Sequence, residues 1–143
     1  RLLAKCLFST PSLRELDLTN NLLGGDGAAY LGEGLRHAKC LVKLDLTGNV
    51  LGNKGFNALA KSFRPTKGSH GRPSVLGNST LERLCVQRNN IGDAGCEELL
   101  LSAAQHRKLV AVDLGENTVS DAVLREIDNI IQVRSDQNKL EAA

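Results

Sequence analysis

The stretch LRELDLTNNLLGGDGAAYLGEGL, from Leu13 to Leu35, returns three times along this 143-residue chain. Its later copies are LVKLDLTGNVLGNKGFNALAKSF, LERLCVQRNNIGDAGCEELLLSA and LVAVDLGENTVSDAVLREIDNII. The copies begin at Leu13, Leu41, Leu81 and Leu109, at offsets of 28, 40 and 28 residues, so the middle spacing is one 28-residue unit lengthened by an insertion of 12. Self-similarity of this period constrains the fold more tightly than any bulk property. Each unit is too small to close a core alone and must stack on its neighbours, which gives an extended surface rather than a deep catalytic pocket.

Within each unit the opening reads apolar-x-x-apolar-x-apolar-x-x-Asn-x-apolar, with Asn21, Asn49, Asn89 and Asn117 at the ninth position. Alternate residues of a short strand point to opposite faces, so Leu16 and Leu18, Leu44 and Leu46, Leu84 and Val86, and Val112 and Leu114 turn inward together. The asparagine marks the bend after the strand. Its amide can satisfy backbone groups there, and its identical place in every unit lets Asn21, Asn49, Asn89 and Asn117 stack as a structural ladder.

Turn-forming residues follow, and then apolar residues at i, i+3, i+7: Ala28, Leu31 and Leu35; Phe56, Leu59 and Phe63; Cys96, Leu99 and Ala103; Leu124, Ile127 and Ile131. That is one stripe of an α-helix. Asn53, Asp93 and Asp121 stand where N-caps are expected, with Asp26 one residue later. Strand, bend, helix and return account for all 28 residues. On these residues the chain resembles the leucine-rich repeat family, and its true helix resembles the ribonuclease-inhibitor type shared by NOD-like receptors, RanGAP-like GTPase activators and several cytoskeletal regulators. The resemblance implies an α/β leucine-rich repeat solenoid, a right-handed β-α horseshoe fragment with a parallel sheet on the concave face and helices on the convex face.

The expected division is one repeat domain over 1–136: a partial repeat or N-terminal cap at 1–12, then units 13–40, 41–80, 81–108 and 109–136. A polar tail, 137–143, follows a last helix running from about Asp121 to Arg134. Residues 64–78 hold the insertion. With Pro65, Pro73, Arg64, Lys67, His70 and Arg72 and no acid, it reads as a surface loop, the alternative being a basic docking segment for an anionic partner. The chain starts without Met and reads as an excised piece of a longer protein.

Scarce aromatics suit stacked, near-identical layers. A formal charge of +2 on 34 charged residues gives no ground for a nucleic-acid partner, and no apolar run approaches a membrane span. The four cysteines form no terminal cluster of the kind that closes extracellular repeats, which points to reduced thiols and a cytoplasmic setting. Cys96 occupies a core slot, Cys6 and Cys40 lie near helix ends, and Cys85 is expected to be the accessible thiol. Asn78-Ser79-Thr80 matches a glycosylation sequon. His37, His70 and His106 have no partners at metal-ligand spacing and read as solvated. The Gly25-Asp26-Gly27 turn is explained by the repeat. No nucleophile–base pair or phosphate loop appears, so the reading is a non-catalytic chain with no cofactor or metal.

Recognition then falls to the strand side chains that face away from the core: Arg14, Glu15, Asp17 and Thr19; Val42, Lys43, Asp45 and Thr47; Glu82, Arg83, Cys85 and Gln87; Val110, Ala111, Asp113 and Gly115. Asp17, Asp45, Cys85 and Asp113 form an acidic column broken by one cysteine, whose repulsion is expected to be relieved only by solvent or a cation. The expected partner is a protein or peptide on this face, or another domain of the parent chain. The junction LRHAKCLVKLDL, residues 35–46, is similar to NOD-like-receptor repeats, which implies the sensing or autoinhibitory region of an innate-immune receptor. A RanGAP-like regulator and a cytoskeletal or ciliary scaffold are the alternatives the resemblance leaves open.

Overall fold

In a computed structural model of the chain, residues 2–66 and 76–143 are described. The chain runs α1 (Leu2–Ser9), β1 (Glu15–Asp17), α2 (Gly24–Leu35), β2 (Lys43–Asp45), α3 (Gly52–Ala60), β3 (Arg83–Cys85), α4 (Glu97–Ala103), β4 (Ala111–Asp113) and α5 (Asp121–Ala142). The strands form one parallel sheet in the order β1-β2-β3-β4, with Leu16, Leu44, Leu84 and Val112 in register. Parallel neighbours need a crossover connection, and each crossover here is a helix. Most of the insertion, residues 67–75, lies outside the described residues.

The core is the space between sheet and helices. Leu44, Leu46, Leu84 and Val86 are buried from the sheet side, and Ala28, Leu31, Leu35, Phe56, Leu59, Phe63, Cys96, Leu99, Ala103, Ile127 and Ile131 from the helix side. Leu16, Leu18, Val112 and Leu124, in the outermost units, are only partly buried. Helices α2 and α3 approach so closely that a Cβ on Gly55 would lie 2.6 Å from the Gly25 Cα, and glycine is what permits that contact.

The asparagines join one unit to the next. Asn49 Oδ1 accepts from the N–H groups of Asn21 and Leu23 in the preceding unit, while its Nδ2 donates to the carbonyls of Leu18, Leu46 and Thr47. Asn89 repeats the pattern on Asn49 and Leu51, and Asn117 on Asn89 and Ile91. The bends are tight enough to hold non-glycine residues at positive φ on one or both sides of each asparagine: Asn20 at 56°, Leu22 at 50°, Val50 at 55°, Arg88 at 49°, Asn90 at 54° and Glu116 at 53°. Left-handed geometry is costly for such residues, and the shared amide bonds hold it in place.

Three expectations are corrected. Asn53, Asp93, Asp121 and Asp26 are not N-caps. Helices α2 and α3 start earlier, at Gly24 and Gly52, a short 3-10 turn at Asp93–Gly95 precedes α4, and Ser120 caps α5 by accepting from the Val123 N–H. Two of these side chains instead reach the following unit: Asn53 Oδ1 accepts from Gly92 N–H at 2.7 Å and Asp93 Oδ1 from Ser120 N–H at 2.7 Å. Asn78, placed at the end of the insertion, is buried scaffold. Its Nδ2 donates to the Leu35 and Ala38 carbonyls and its Oδ1 accepts from the Thr80 and Leu81 N–H groups, so the sequon asparagine has no free amide in the folded chain. The third concerns the polar tail, which is no separate segment because α5 continues through Ala142 and Asn138 Nδ2 donates to the Arg107 carbonyl.

Candidate functional site: the concave strand face

Parallel pairing sets the side chains opposite the core in rows. Glu15, Lys43, Arg83 and Ala111 form one row, and Asp17, Asp45, Cys85 and Asp113 form another. Glu15, Asp17, Lys43, Arg83, Ala111 and Asp113 are exposed, and Asp45 and Cys85 are half-buried. Arg14 and Gly115 are exposed as well, Val110 is borderline exposed, and Thr19, Val42, Glu82 and Gln87 are half-buried. Thr47 departs from the expected open face. It is buried, with its Oγ1 3.2 Å from Cys85 Sγ.

The acidic column is not left to solvent or a cation, as its charges suggested. Asp17 Oδ1 accepts from Thr19 N–H, Asp45 Oδ1 from Thr47 N–H and Asp113 Oδ1 from Gly115 N–H, at 2.9, 2.9 and 3.0 Å. These Asx-type bonds tie each carboxylate to the end of its own strand. Hydrogen bonds from the Thr19 hydroxyl and backbone hold the Asp17 carboxyl below the usual carboxylate range, and Lys43 adds to the effect. Gln87 Nε2 donates to Asp113 Oδ2 at 2.6 Å, and Lys43 lies 3.6 Å from Glu15. Exposed pairs of this kind contribute little to stability. Arg14 and Arg83 pair with no carboxylate among the described residues, and they remain the free cations of the face.

The thiols are corrected in one respect. All four are free, and Cys6 and Cys40 are more exposed than Cys85, whose sulfur is held against Thr47. Cys96 is buried in the core, and desolvation, with Asp93 nearby, pushes its pKa up to about 11. Native alkylation is therefore expected to label the exposed Cys6 and Cys40 first, the half-buried Cys85 more slowly and Cys96 last, because burial both hides Cys96 and suppresses its reactive thiolate. Peptide mapping in which Cys96 reacts before Cys85 would contradict the strand register.

Among the histidines, His37 is exposed and stacks on Phe8 with ring centroids 4.1 Å apart, while His70 lies outside the described residues. His106 is not solvated as expected. It is 2% exposed, its Nδ1 accepts from Leu109 N–H at 3.1 Å, and its ring stands edge-on to Phe63. Desolvation lowers its pKa to about 4, with Lys108 adding to the effect. His106 and Asn78 each stand three residues before the leucine that opens a unit, and each accepts that leucine's N–H. That equivalence was available from the repeat alignment as a shared offset, although the residue type differs between units. No group of three or more His, Cys, Asp or Glu residues among the described residues is placed to hold a metal ion.

The Leucine Rich repeat family profile matches residues 10–32, 37–60 and 77–100. A pig ribonuclease inhibitor is 31% identical over 87% of this chain, and the mouse NACHT, LRR and PYD domains-containing protein 12 is 32% identical over 81% of it. The chain spans 31% and 10% of the lengths of these two relatives. Among solved structures, the actin-binding site 2 of leiomodin-1 superposes with a TM-score of 0.72 at 11% identity, over 99% of this chain and 92% of that one, a likeness of fold.

Proposed function

Because the chain is a leucine-rich repeat protein of the ribonuclease-inhibitor-like type, with repeats resembling those of NOD-like receptors, we propose that it binds a protein or peptide on its concave face as the sensing or autoinhibitory region of a cytoplasmic innate-immune receptor. The observation that carries the concave reading is the separation of roles along each strand. Leu44 and Leu84 point into the core while their neighbours Lys43 and Arg83 are exposed. The face therefore varies at little cost to the fold, as a recognition surface requires. Likeness to the NACHT, LRR and PYD domains-containing protein supports the receptor reading, and the buried sequon Asn78 supports an unglycosylated, cytoplasmic setting.

Four strands with four positions each, less the buried Thr47, give about fifteen residues, fewer than the roughly 20–30 a stable interface engages on each side, so the face alone binds weakly. Its acids favour a partner carrying basic side chains. The variant Asp45→Lys/Asp113→Lys, checked for native circular dichroism, is expected to bind a concave-face partner several-fold more weakly and with altered salt dependence. Quantitative affinity capture with both proteins, followed by titration of the recovered partner, reads this out. Equal affinity for the two proteins would contradict the concave reading.

A further inference from the structure

We propose that the edge of the solenoid formed by the helix-to-strand returns is a second docking surface, built to take an acidic peptide segment anchored by one apolar side chain. The sequence segregates charge along the repeat: residues 1–14, 34–44, 46–81 and 99–112 contain no Asp or Glu, and these segments hold the returns of the cap and of the first three units. The in-register strands bring the described parts of the returns to one edge, and side-chain bonds join them. Arg36 donates to the Arg64 and Lys61 carbonyls, Asn78 to the Leu35 and Ala38 carbonyls, and Thr80 to the Leu41 carbonyl.

Some of these cations are spent within the fold. Arg36 closes the C-terminal end of the next unit's helix, Lys39 donates to the Arg36 carbonyl, and Arg64 pairs with Glu98 at 3.0 Å. Such use at helix C-termini is ordinary. Lys5, Lys61, Arg107 and Lys108 have no ion-pair partner among the described residues. Of the acids, Glu33 lines a cleft with Lys5 and Arg36, Glu98 is taken up by Arg64, and Asp136 on α5 is held by Gln132 and Lys139. The edge is left with a net positive field.

Between the returns of the second and third units lies a cleft of about 420 Å³, with Phe63, Pro65 and Leu76 as its apolar lining and Gln105, His106 and Lys108 as its polar side. Its chemistry is specific. His106 Nδ1 accepts the Leu109 N–H, so the ring proton resides on Nε2, and Nε2 is buried without a hydrogen-bond partner. An unsatisfied buried donor beside apolar side chains and free cations fits a carbonyl or carboxylate oxygen attached to an apolar group. A single-stranded nucleic acid adds base stacking to its phosphate contacts, and the phenylalanines offer it little open ring face. Phe56 and Phe63 are buried, and Phe8 is already stacked on His37.

The test uses the whole chain at low ionic strength and a capped, fluorescent peptide of glutamates flanking one leucine. Controls are its lysine counterpart, an all-glutamate peptide and a thymidine oligonucleotide. The acidic leucine peptide is expected to bind best. Arg107→Glu/Lys108→Glu, both exposed, should weaken it about tenfold or more. His106→Asn places at this position the residue its equivalent Asn78 already is, keeping an acceptor for the Leu109 N–H while removing the Nε2 donor. It should fold normally and bind about fivefold more weakly. Arg83→Glu on the concave face should leave this affinity unchanged. The proposal is overturned by absence of binding, by tighter binding of the oligonucleotide, by equal binding of the all-glutamate peptide, or by loss with Arg83→Glu and not with Arg107→Glu/Lys108→Glu.

Discussion

Replacing Asn89 by Ala is expected to destabilise the chain by about 3–5 kcal/mol, whereas the same change at Asn21 should cost less than about 1 kcal/mol. The two residues hold the same repeat position and differ in what surrounds them. Asn89 is fully buried, its Oδ1 receives the Asn49 and Leu51 N–H groups, and its Nδ2 serves the Leu46, Val86 and Gln87 carbonyls. Alanine leaves the Asn49 and Leu51 N–H groups without an acceptor in a space that also excludes water, while the Leu46, Val86 and Gln87 carbonyls keep the Asn49 amide, the Asn117 amide and the Gly48 N–H. Asn21 is exposed, and its side chain makes one bond, to the Thr19 carbonyl. Urea unfolding of both variants reads the difference. Equal losses would mean that the bends hold without the inter-repeat amides.

A second large effect follows from His106 and is set by pH. Its pKa in the folded chain is about 4, against an ordinary value of 6.5, because burial disfavours the imidazolium. Between those values the unfolded chain holds a proton that the folded chain does not. Unfolding therefore takes up a proton as pH falls, and stability declines from about pH 6.5 to about pH 4, by roughly 3 kcal/mol, then levels off. Carboxylates held below their usual range, such as Asp17, lose their own contribution at the acid end, so the wild-type curve alone mixes the two. His106→Asn isolates the histidine. The variant should match the wild type more closely as pH falls, and parallel stability curves from about pH 7 to about pH 4.5 would refute the buried neutral imidazole.

How much of this was legible in the sequence depends on how far each feature reaches along the chain. The strand register and the inward leucines follow from local alternation, and a shared ninth position was enough to place Asn49, Asn89 and Asn117 in contact. The helix starts were misplaced for a tertiary reason. Asn53 and Asp93 carry capping chemistry but spend it on Gly92 and Ser120 of the next unit, a choice that no local window reveals. Thr47 looked like an outward residue and is covered by its neighbour Cys85. His106 looked solvated because its repeat equivalents are Thr10, Ala38 and Asn78, three different residue types at one turn. The far end of α5 read as a polar tail although Gln132 and Asp136 interact across one helical turn and Asn138 ties the helix to Arg107. The acidic column shows the same limit. Charge alone predicted repulsion, while the neighbouring Thr19, Thr47 and Gly115 N–H groups answer each carboxylate.

Labour is divided within each repeat: the asparagine and the inward side chains hold the solenoid, and the exposed strand side chains, whose bonds are local, contribute little to it. Urea unfolding of Lys43→Glu/Arg83→Glu beside Asn89→Ala, under one buffer condition, tests that division most directly. The concave pair is expected to shift stability by less than about 1 kcal/mol while Asn89→Ala loses several. A concave variant as damaged as Asn89→Ala would show that this face is scaffold and would contradict the claim.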